Sequence, residues 1–453
     1  MFRGMEANQF SGPIPEELGY LTNLKGLELA SNQFTGSLPT SFAKLVNLEK
    51  FRICDNNFTG TIPEYIGNWS RLQRLGMEAN QFSGPIPEEL GYLTNLKGLE
   101  LASNQFTGSL PTSFAKLVNL EKFRICDNNF TGTIPEYIGN WSRLQRLDIY
   151  ASGLKGPIPD AVARLENLTE LSISDTTGIN SFPKLSNKLK HLILRNVNLS
   201  GPIPPYIWDM TTLQTLDLSF NKLTGEIQLQ KVPKNTYLTG NLLSGNVDSG
   251  ALPNSKSYMY VSSCLKHLVF DLSYNNFSWS SNCQESNINK YRSSYLKNNL
   301  TGLFPCAAPI QCNKYQRSLH INCGGENVTI RNSFGKTTYQ TDNSRQTTAA
   351  SNQHFENWGV SNTGDFTDDG SDDDVYSISN TSTLSGDYPH DLYKTARRSA
   401  LSLVYYAFCL ANGAYDVKLH FMELQFLDKE VYTHLGRRIF DVYVQDVLVF
   451  ERL

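Results

Sequence analysis

The chain has 453 residues, 40% of them hydrophobic and 18% charged, with a formal net charge of −3. That length and apolar content suffice for two or more packed units and exclude a disordered chain, while the near-balanced charge gives no reason to expect a polyanion such as nucleic acid as partner. No run of eighteen apolar residues is present, so no segment reads as a membrane-spanning helix. From the N-terminus, Gly4 to Leu75 reappear letter for letter as Gly76 to Leu147, an offset of 72, and the copied block is itself three turns of a 24-residue repeat. A fixed period of this kind predicts a solenoid in which each unit buries its apolar face against its neighbours. The opening "MFRGMEANQF" lacks the apolar core of a signal peptide and matches the interior of a repeat, so the chain is expected to begin partway through a coil.

Each turn follows one pattern, carried for example by Leu24, Leu27, Leu29, Asn32, Phe34, Gly36, Leu38, Pro39, Phe42 and Leu45. The alternating leucines predict a short strand with one buried face. The asparagine is expected to hydrogen-bond backbone groups left unpaired by the turning chain, so that stacked turns build a ladder. Gly and Pro punctuate the return stroke. The motif F-x-G-x-[IL]-P, in "QFSGPIP", "QFTGSLP", "NFTGTIP" and "NLSGPIP", resembles the plant-type leucine-rich repeat family. That resemblance implies an α/β-type solenoid of short parallel strands.

Strand positions three, five and seven are expected on the concave side. They place Lys50, Arg52 and Arg74 in one basic cluster and Lys122, Arg124 and Arg146 in a second, three turns on, with Tyr150, Glu170, His191 and Arg195 continuing the face. Such a surface reads either as a docking site for a peptide, a glycan acid or a partner ectodomain, or as a solvated charged face. The repeats loosen after Asn221, and "LTGNLLSG" and "FDLSYNNFSW" are the last recognisable units, with an insertion carrying Cys264 between them.

The solenoid is assigned to residues 1–282, a cap and linker to 283–316, and a second domain to 317–453. Cys283, Cys306, Cys312 and Cys323 cluster at this junction and are the disulfide candidates; Cys264 and Cys409 are left unassigned. Cys54 and Cys126, one repeat position in two copies, are expected as free residues on the open side of the strand. Neither a C-x-x-C pair nor a suitably spaced His supports a zinc site, and no metal or cofactor is expected. Sequons at Asn57, Asn68, Asn129, Asn140, Asn167, Asn198, Asn276, Asn299, Asn327 and Asn380 suit a secreted glycoprotein.

From Ser318, short runs rich in Val, Tyr, Phe and Leu separated by turn residues predict an antiparallel sandwich or jelly roll. In one run Val417, Leu419 and Phe421 face one way while Lys418 and His420 face the other. The segments "HINCGG", "YQTD", "LYKTARRSALSLVYYAFCLANGAYDVKLHFMELQF" and "GRRIFDVYVQ" resemble the malectin-like domain of plant receptor kinases. With the repeats in front, the whole resembles the ectodomain of the leucine-rich-repeat malectin receptor-like kinases. Members carry a signal peptide, a transmembrane helix and a cytoplasmic Ser/Thr kinase outside the ectodomain, and their malectin-like domain continues past "VLVFERL". The all-β domain is therefore expected to be incomplete at its C-terminus.

No Gly-rich phosphate loop, H-R-D or D-F-G motif is present, so no kinase activity is expected of this chain. The run "DFTDDGSDDD" fails the EF-hand pattern and reads as a solvated acidic loop. Aromatic rings that can cover sugar C–H faces, with acids and amides nearby for the hydroxyls, make Tyr339, Phe355, Trp358, Phe366, Tyr388, Tyr393 and Tyr405 carbohydrate-binding candidates, against the alternative that they fill the sandwich core. The expected function is extracellular recognition of a cell-wall carbohydrate or peptide, with association of partner receptors. The alternatives are a secreted decoy or inhibitor and, more remotely, a glycoside hydrolase, for which no motif selects a carboxylate pair.

Overall fold

The computed structural model describes residues 2–228, 231–245, 269–277, 288–289, 312, 314–332, 335–342, 351–363, 377–379, 392–400, 402–407, 409–421, 440–445 and 447–451. They pack as two units, Met1–Pro233 with Tyr432–Leu453, and Lys234–Val431.

In the first unit, ten short strands from Phe2–Gly4 through Gly26–Glu28, Lys50–Arg52 and onward to Thr215–Asp217 pair in parallel, one per turn, as the repeat pattern requires. Alternate residues point inward, so Leu27, Phe51, Leu75, Leu99, Phe123 and Leu147 are fully buried. The return strokes are the short helical turns of the expected α/β-type solenoid. They are five-residue 3-10 segments such as Glu16–Tyr20, Thr40–Lys44 and Glu88–Tyr92, each following a proline, and the α-helix Pro205–Trp208 has four residues. A 24-residue turn leaves room for one tight helical turn and no more.

A second parallel sheet, which period-two alternation in the leucine segment does not reveal, joins Ser11–Pro13, Gln33–Gly36, Asn57–Gly60, Gln81–Pro85 and Gln105–Thr107. It forms because stacking in register brings successive F-x-G segments side by side. Beneath it the phenylalanines Phe10, Phe34, Phe58, Phe82, Phe106 and Phe130 stack with ring centroids 6.0 to 6.3 Å apart.

The asparagine ladder is present as the sequence predicts. Asn56 donates through Nδ2 to the carbonyls of Leu29 (2.9 Å), Ile53 (3.2 Å) and Cys54 (3.0 Å), and its Oδ1 accepts from the Phe34 N–H at 2.9 Å. Asn32, Asn80, Asn104 and Asn128 repeat these bonds. One residue before each asparagine the backbone turns left-handed without glycine: Ser31, Asp55, Ala79, Ser103 and Asp127 have φ between 50° and 56°. Their N–H groups donate to the following turn, Ser31 to Cys54, Asp55 to Glu78, Ala79 to Ala102 and Ser103 to Cys126, at 2.8 to 3.0 Å.

Consecutive 3-10 turns touch closely at Gly91, where a Cβ would lie 2.1 Å from Ser113 Oγ and 2.6 Å from the Ser113 carbonyl carbon. Backbone cannot yield there as a side-chain tip can. Gly91→Ala is therefore expected to destabilise the coil by about 1–3 kcal/mol, seen as a lower thermal midpoint. An unchanged midpoint would contradict the packing described.

In the second unit, Asn235–Tyr237, Val269–Asp271 and Ile288–Asn289 pair in parallel. The C-terminal region is β-rich. It contains the three-stranded sheets Ile321–Asn322/Gly335–Thr341/Val328–Asn332 and Ser351–His354/Trp358–Thr363/Ser402–Ala407, and the pair Ser377–Ser379/Thr395–Arg397. In the first unit, Val442–Val444 pairs with Val447–Phe450. The expected strand around Val417 is not formed. Residues 412–421 are not assigned to a strand, and Val417, Leu419 and Phe421 are exposed alongside Lys418 and His420.

A disulfide joins Cys312 to Cys409, 97 residues away, and the Gln316 N–H donates to the Cys409 carbonyl beside it at 2.8 Å. Cys312, a disulfide candidate, is thus bonded to Cys409, which the sequence leaves unassigned. Cys323 is a free thiol, and Cys264, Cys283 and Cys306 lie outside the described residues.

Candidate functional site

The concave sheet presents two columns of outward side chains. The strand register aligns Lys50, Arg74, Gly98, Lys122, Arg146, Glu170 and His191 in one, and Glu28, Arg52, Gly76, Glu100, Arg124 and Asp148 in the other. The two basic clusters of the sequence reading become, for the most part, a lattice of alternating charge. Lys50 pairs with Glu28 at 2.8 Å, Arg124 with Asp148 at 2.9 Å and Glu100 at 3.7 Å, and Arg146 with Asp148 at 2.6 Å and Glu170 at 3.1 Å. The acids occupy the neighbouring position in register, which a list of basic residues overlooks. Counting the second outward column would have found Glu28, Glu100 and Asp148. Arg52, Arg74 and Lys122 are outward cations with no carboxylate within 4.0 Å among the described residues.

Cys54 and Cys126 are not on an open side. Both are buried, and burial pushes the Cys54 thiol up to about 12 and the Cys126 thiol further, so neither is a thiolate at neutral pH. Tyr150, half-buried, lies against Cys126. Glu78 stands in the same column as Cys54. Burial, reinforced by Glu100, pushes its carboxyl up to about 7, and its Oε2 is buried without a hydrogen-bond partner. Burial also lowers the His191 imidazole below its usual value, so it is neutral at pH 7.

In the C-terminal region the aromatic candidates separate by burial. Trp358 is 0% exposed, its Nε1 donates to Gln340 Oε1 at 2.7 Å, and Phe355 stacks on it at 4.1 Å between centroids. It is a core residue and cannot offer a face to a sugar, which corrects its assignment. Tyr405 is spent in another way. Its hydroxyl donates at 2.5 Å to Asp342 Oδ2, and the same carboxylate accepts from Arg397 Nε at 2.6 Å and from the Gly324 N–H at 2.5 Å. Arg397 Nη2 also donates to the Asp342 carbonyl at 2.8 Å, and the free Cys323 thiol, pushed up by burial, adjoins Tyr405. This enclosed Asp342–Arg397–Tyr405 network was not predicted, although "YQTD" and "TARRS" contain its charged members.

Tyr339, Phe355, Tyr393 and Tyr405 are all half-buried; Phe355 has one face on Trp358 and the Tyr405 hydroxyl is bonded to Asp342, which leaves Tyr339 and Tyr393 as the remaining candidates. Tyr339 is half-buried with its edge against His320, 5.3 Å between centroids, and Tyr393 is half-buried with its hydroxyl 2.5 Å from His420 Nδ1. Phe366, Tyr388 and the acidic run lie outside the described residues. Of the sequon asparagines, Asn68, Asn129, Asn140, Asn167, Asn198, Asn276 and Asn327 are exposed and Asn57 is half-buried, whereas Asn299 and Asn380 lie outside the described residues. Among the described residues no helix is long and apolar enough to cross a membrane.

The malectin domain family matches residues 317–453, and the leucine-rich repeat family matches residues 23–45, 47–69, 95–117, 119–141 and 212–229. A probable LRR receptor-like serine/threonine-protein kinase of Arabidopsis thaliana is 70% identical over 282 residues, covering 62% of this chain and 26% of that protein. Another from the same plant, RFK1, is 40% identical over 250 residues, covering 52% of this chain and 23% of that protein. This chain thus spans about a quarter of the length of these relatives. Among solved structures a TDR receptor is similar at a TM-score of 0.53 and 27% identity, covering 63% of this chain and 50% of that one.

Proposed function

We propose, for a chain that combines leucine-rich repeats with a malectin domain and resembles plant LRR receptor-like kinases, that it is the extracellular ligand-recognition region of such a receptor and binds an extended peptide on its concave face. In this reading residues 1–282 form the recognition coil, 283–316 the junction and 317–453 the malectin domain. Membrane attachment and kinase activity belong to the longer parent, at the outer face of the plasma membrane. Ligand-driven association with partner receptors would transmit the signal.

The observation that carries the reading is the unbroken concave sheet. From Gly26–Glu28 to Thr215–Asp217 it sets nine strands side by side. At a spacing of about 4.8 Å the strands span roughly 38 Å, the length of an extended peptide of about a dozen residues. Charges of both signs along that track can set the direction and register of such a peptide. The second reading, a carbohydrate at the malectin domain, now rests on Tyr339 and Tyr393 rather than on Trp358.

The purified chain, screened against linear peptides and cell-wall oligosaccharides, is expected to bind a peptide saturably. Lys122→Glu should weaken that binding at least about tenfold, the effect of reversing one interfacial charge. If no peptide saturates, or if Lys122→Glu leaves affinity unchanged, the peptide reading is wrong. Saturable sugar binding lost in Tyr339→Ala would favour the second reading.

A further inference from the structure

The second parallel sheet differs from the concave one in charge. Its strands lie within the segments 9–13, 33–37, 57–61, 81–85 and 105–109, and no residue of these segments is charged, in a chain where 18% are. The concave strands of the same turns carry Glu28, Lys50, Arg52, Arg74 and Glu100. Along each segment the phenylalanine points inward, so the residues on either side of it face solvent. They form ranks along the coil. Gln33, Asn57, Gln81 and Gln105 make a rank of amides, and Thr35, Thr59, Ser83 and Thr107 a rank of hydroxyls.

The strand register staggers the two ranks. Thr35 stands beside Asn57, Thr59 beside Gln81 and Ser83 beside Gln105, so hydroxyl and amide alternate across the sheet. Thr35 and Thr59 are exposed, and Ser83 and Thr107 are half-buried. Among the described residues these four hydroxyls have no hydrogen-bond partner, while Gln81 Nε2 donates to Asn57 Oδ1 at 3.4 Å. The turns are held close together. At Gly60, where φ is 85°, a Cβ would already lie 3.4 Å from Ser37 Cβ, so a larger residue would press into the preceding turn.

This composition narrows the partner. A protein interface centres on apolar and aromatic side chains, and the phenylalanines of this sheet are turned inward. A nucleic acid or an acidic glycan is held by cations, and these segments have none. An uncharged polysaccharide offers what the sheet offers, groups that both donate and accept, with no charge to strip of water on either side. We propose that the second sheet binds an extended, uncharged polysaccharide laid along the coil axis, with about one sugar per turn. Paired strands lie about 4.8 Å apart, and the rings beneath them advance 6.0 to 6.3 Å per turn, a step comparable with one pyranose unit of an extended chain. Each sugar meets one amide and one hydroxyl, and the exposed rings of Pro13 and Pro85 give apolar contact to its C–H groups. One such contact is weak, and repetition along the polymer supplies the affinity. None of these residues belongs to the concave track or to the Tyr339 and Tyr393 surfaces.

The test uses the full chain carrying Asn57→Gln and Asn129→Gln, which keep an amide at both positions and remove two sequons from this side of the coil. It is titrated with cello-oligosaccharides from dimer to octamer. Affinity is expected to rise about twofold to tenfold with each added sugar and to level off near the pentamer, because the sheet has five strands. Replacing three hydroxyls together, Thr35→Val, Ser83→Ala and Thr107→Val, should weaken octamer binding at least about tenfold with an unchanged thermal midpoint. Should that protein fail to fold, Ser83→Arg, which obstructs the middle of the track, is expected to give the same loss. A dimer that binds as tightly as the octamer, an affinity indifferent to these variants, or no binding of the octamer would overturn the proposal. Binding abolished by Tyr339→Ala and untouched by the hydroxyl replacements would assign the sugar to the malectin domain and overturn it equally. None of these outcomes bears on the peptide reading, which is tested through Lys122 on the concave face.

Discussion

Asp342→Ala is expected to unfold the malectin region at moderate denaturant concentrations, with a loss of about 3–5 kcal/mol, the usual cost of removing one member of a buried ion pair. Asp342 is 0% exposed and its carboxylate accepts three hydrogen bonds, from Arg397, Tyr405 and the Gly324 amide. Removing it leaves an interior guanidinium, a hydroxyl and a backbone amide unsatisfied together. Each has lost its contact with water on folding and gains nothing in return. Asp342→Asn keeps the shape and removes the charge, so it should cost less than alanine yet leave Arg397 without a counter-ion. Denaturant unfolding followed by Trp358 fluorescence would measure the loss, since Trp358 bonds to Gln340 two residues away. A change below about 1 kcal/mol would mean that the pair contributes no more than an exposed one.

Phe82→Ala should weaken the solenoid by about 3–5 kcal/mol, the range for truncating a buried phenylalanine. Its ring is fully buried, 6.1 Å from Phe58 and 6.3 Å from Phe106, so alanine opens a gap in the middle of the stacked series. In a coil stabilised only by nearest neighbours the damage stays local. Hydrogen exchange should rise in the turns carrying Phe58 and Phe106 and stay unchanged near Leu192. Phe10 provides the contrast. It heads the same series at 46% exposure, and Phe10→Ala should cost no more than about 1 kcal/mol. Equal losses at the two positions would show that stacking does not govern the stability of the coil.

The solenoid was legible because its determinants recur. Leu24, Asn32, Phe34 and Gly36 return every 24 residues, and a side chain that meets its own copy at each turn has little freedom in its role. What did not recur was harder to read. Asp148 stands in the column of Gly76 and gives Arg124 and Arg146 a shared carboxylate without altering the apolar pattern. In the malectin region alternation marks extended chain but cannot say which face another layer will cover. Trp358 and Tyr405 were therefore listed with Tyr339 as sugar platforms, although two of the three are committed to internal bonds. Cysteine pairing was not legible at all, since Cys312 is joined to Cys409 across 97 residues and no local spacing selects that partner.

The left-handed residues before each ladder asparagine bear on how the coil is made. Ser31, Asp55, Ala79 and Ser103 hold a backbone conformation that costs a side chain-bearing residue roughly 1–3 kcal/mol, and in each the amide is satisfied by a carbonyl 23 residues ahead. Synthesis proceeds in that same direction. A turn leaving the ribosome thus has no acceptor for this amide until the next turn has followed it out, and the coil locks one turn behind the growing chain. The newest turn is always the loose one until its successor has packed on it.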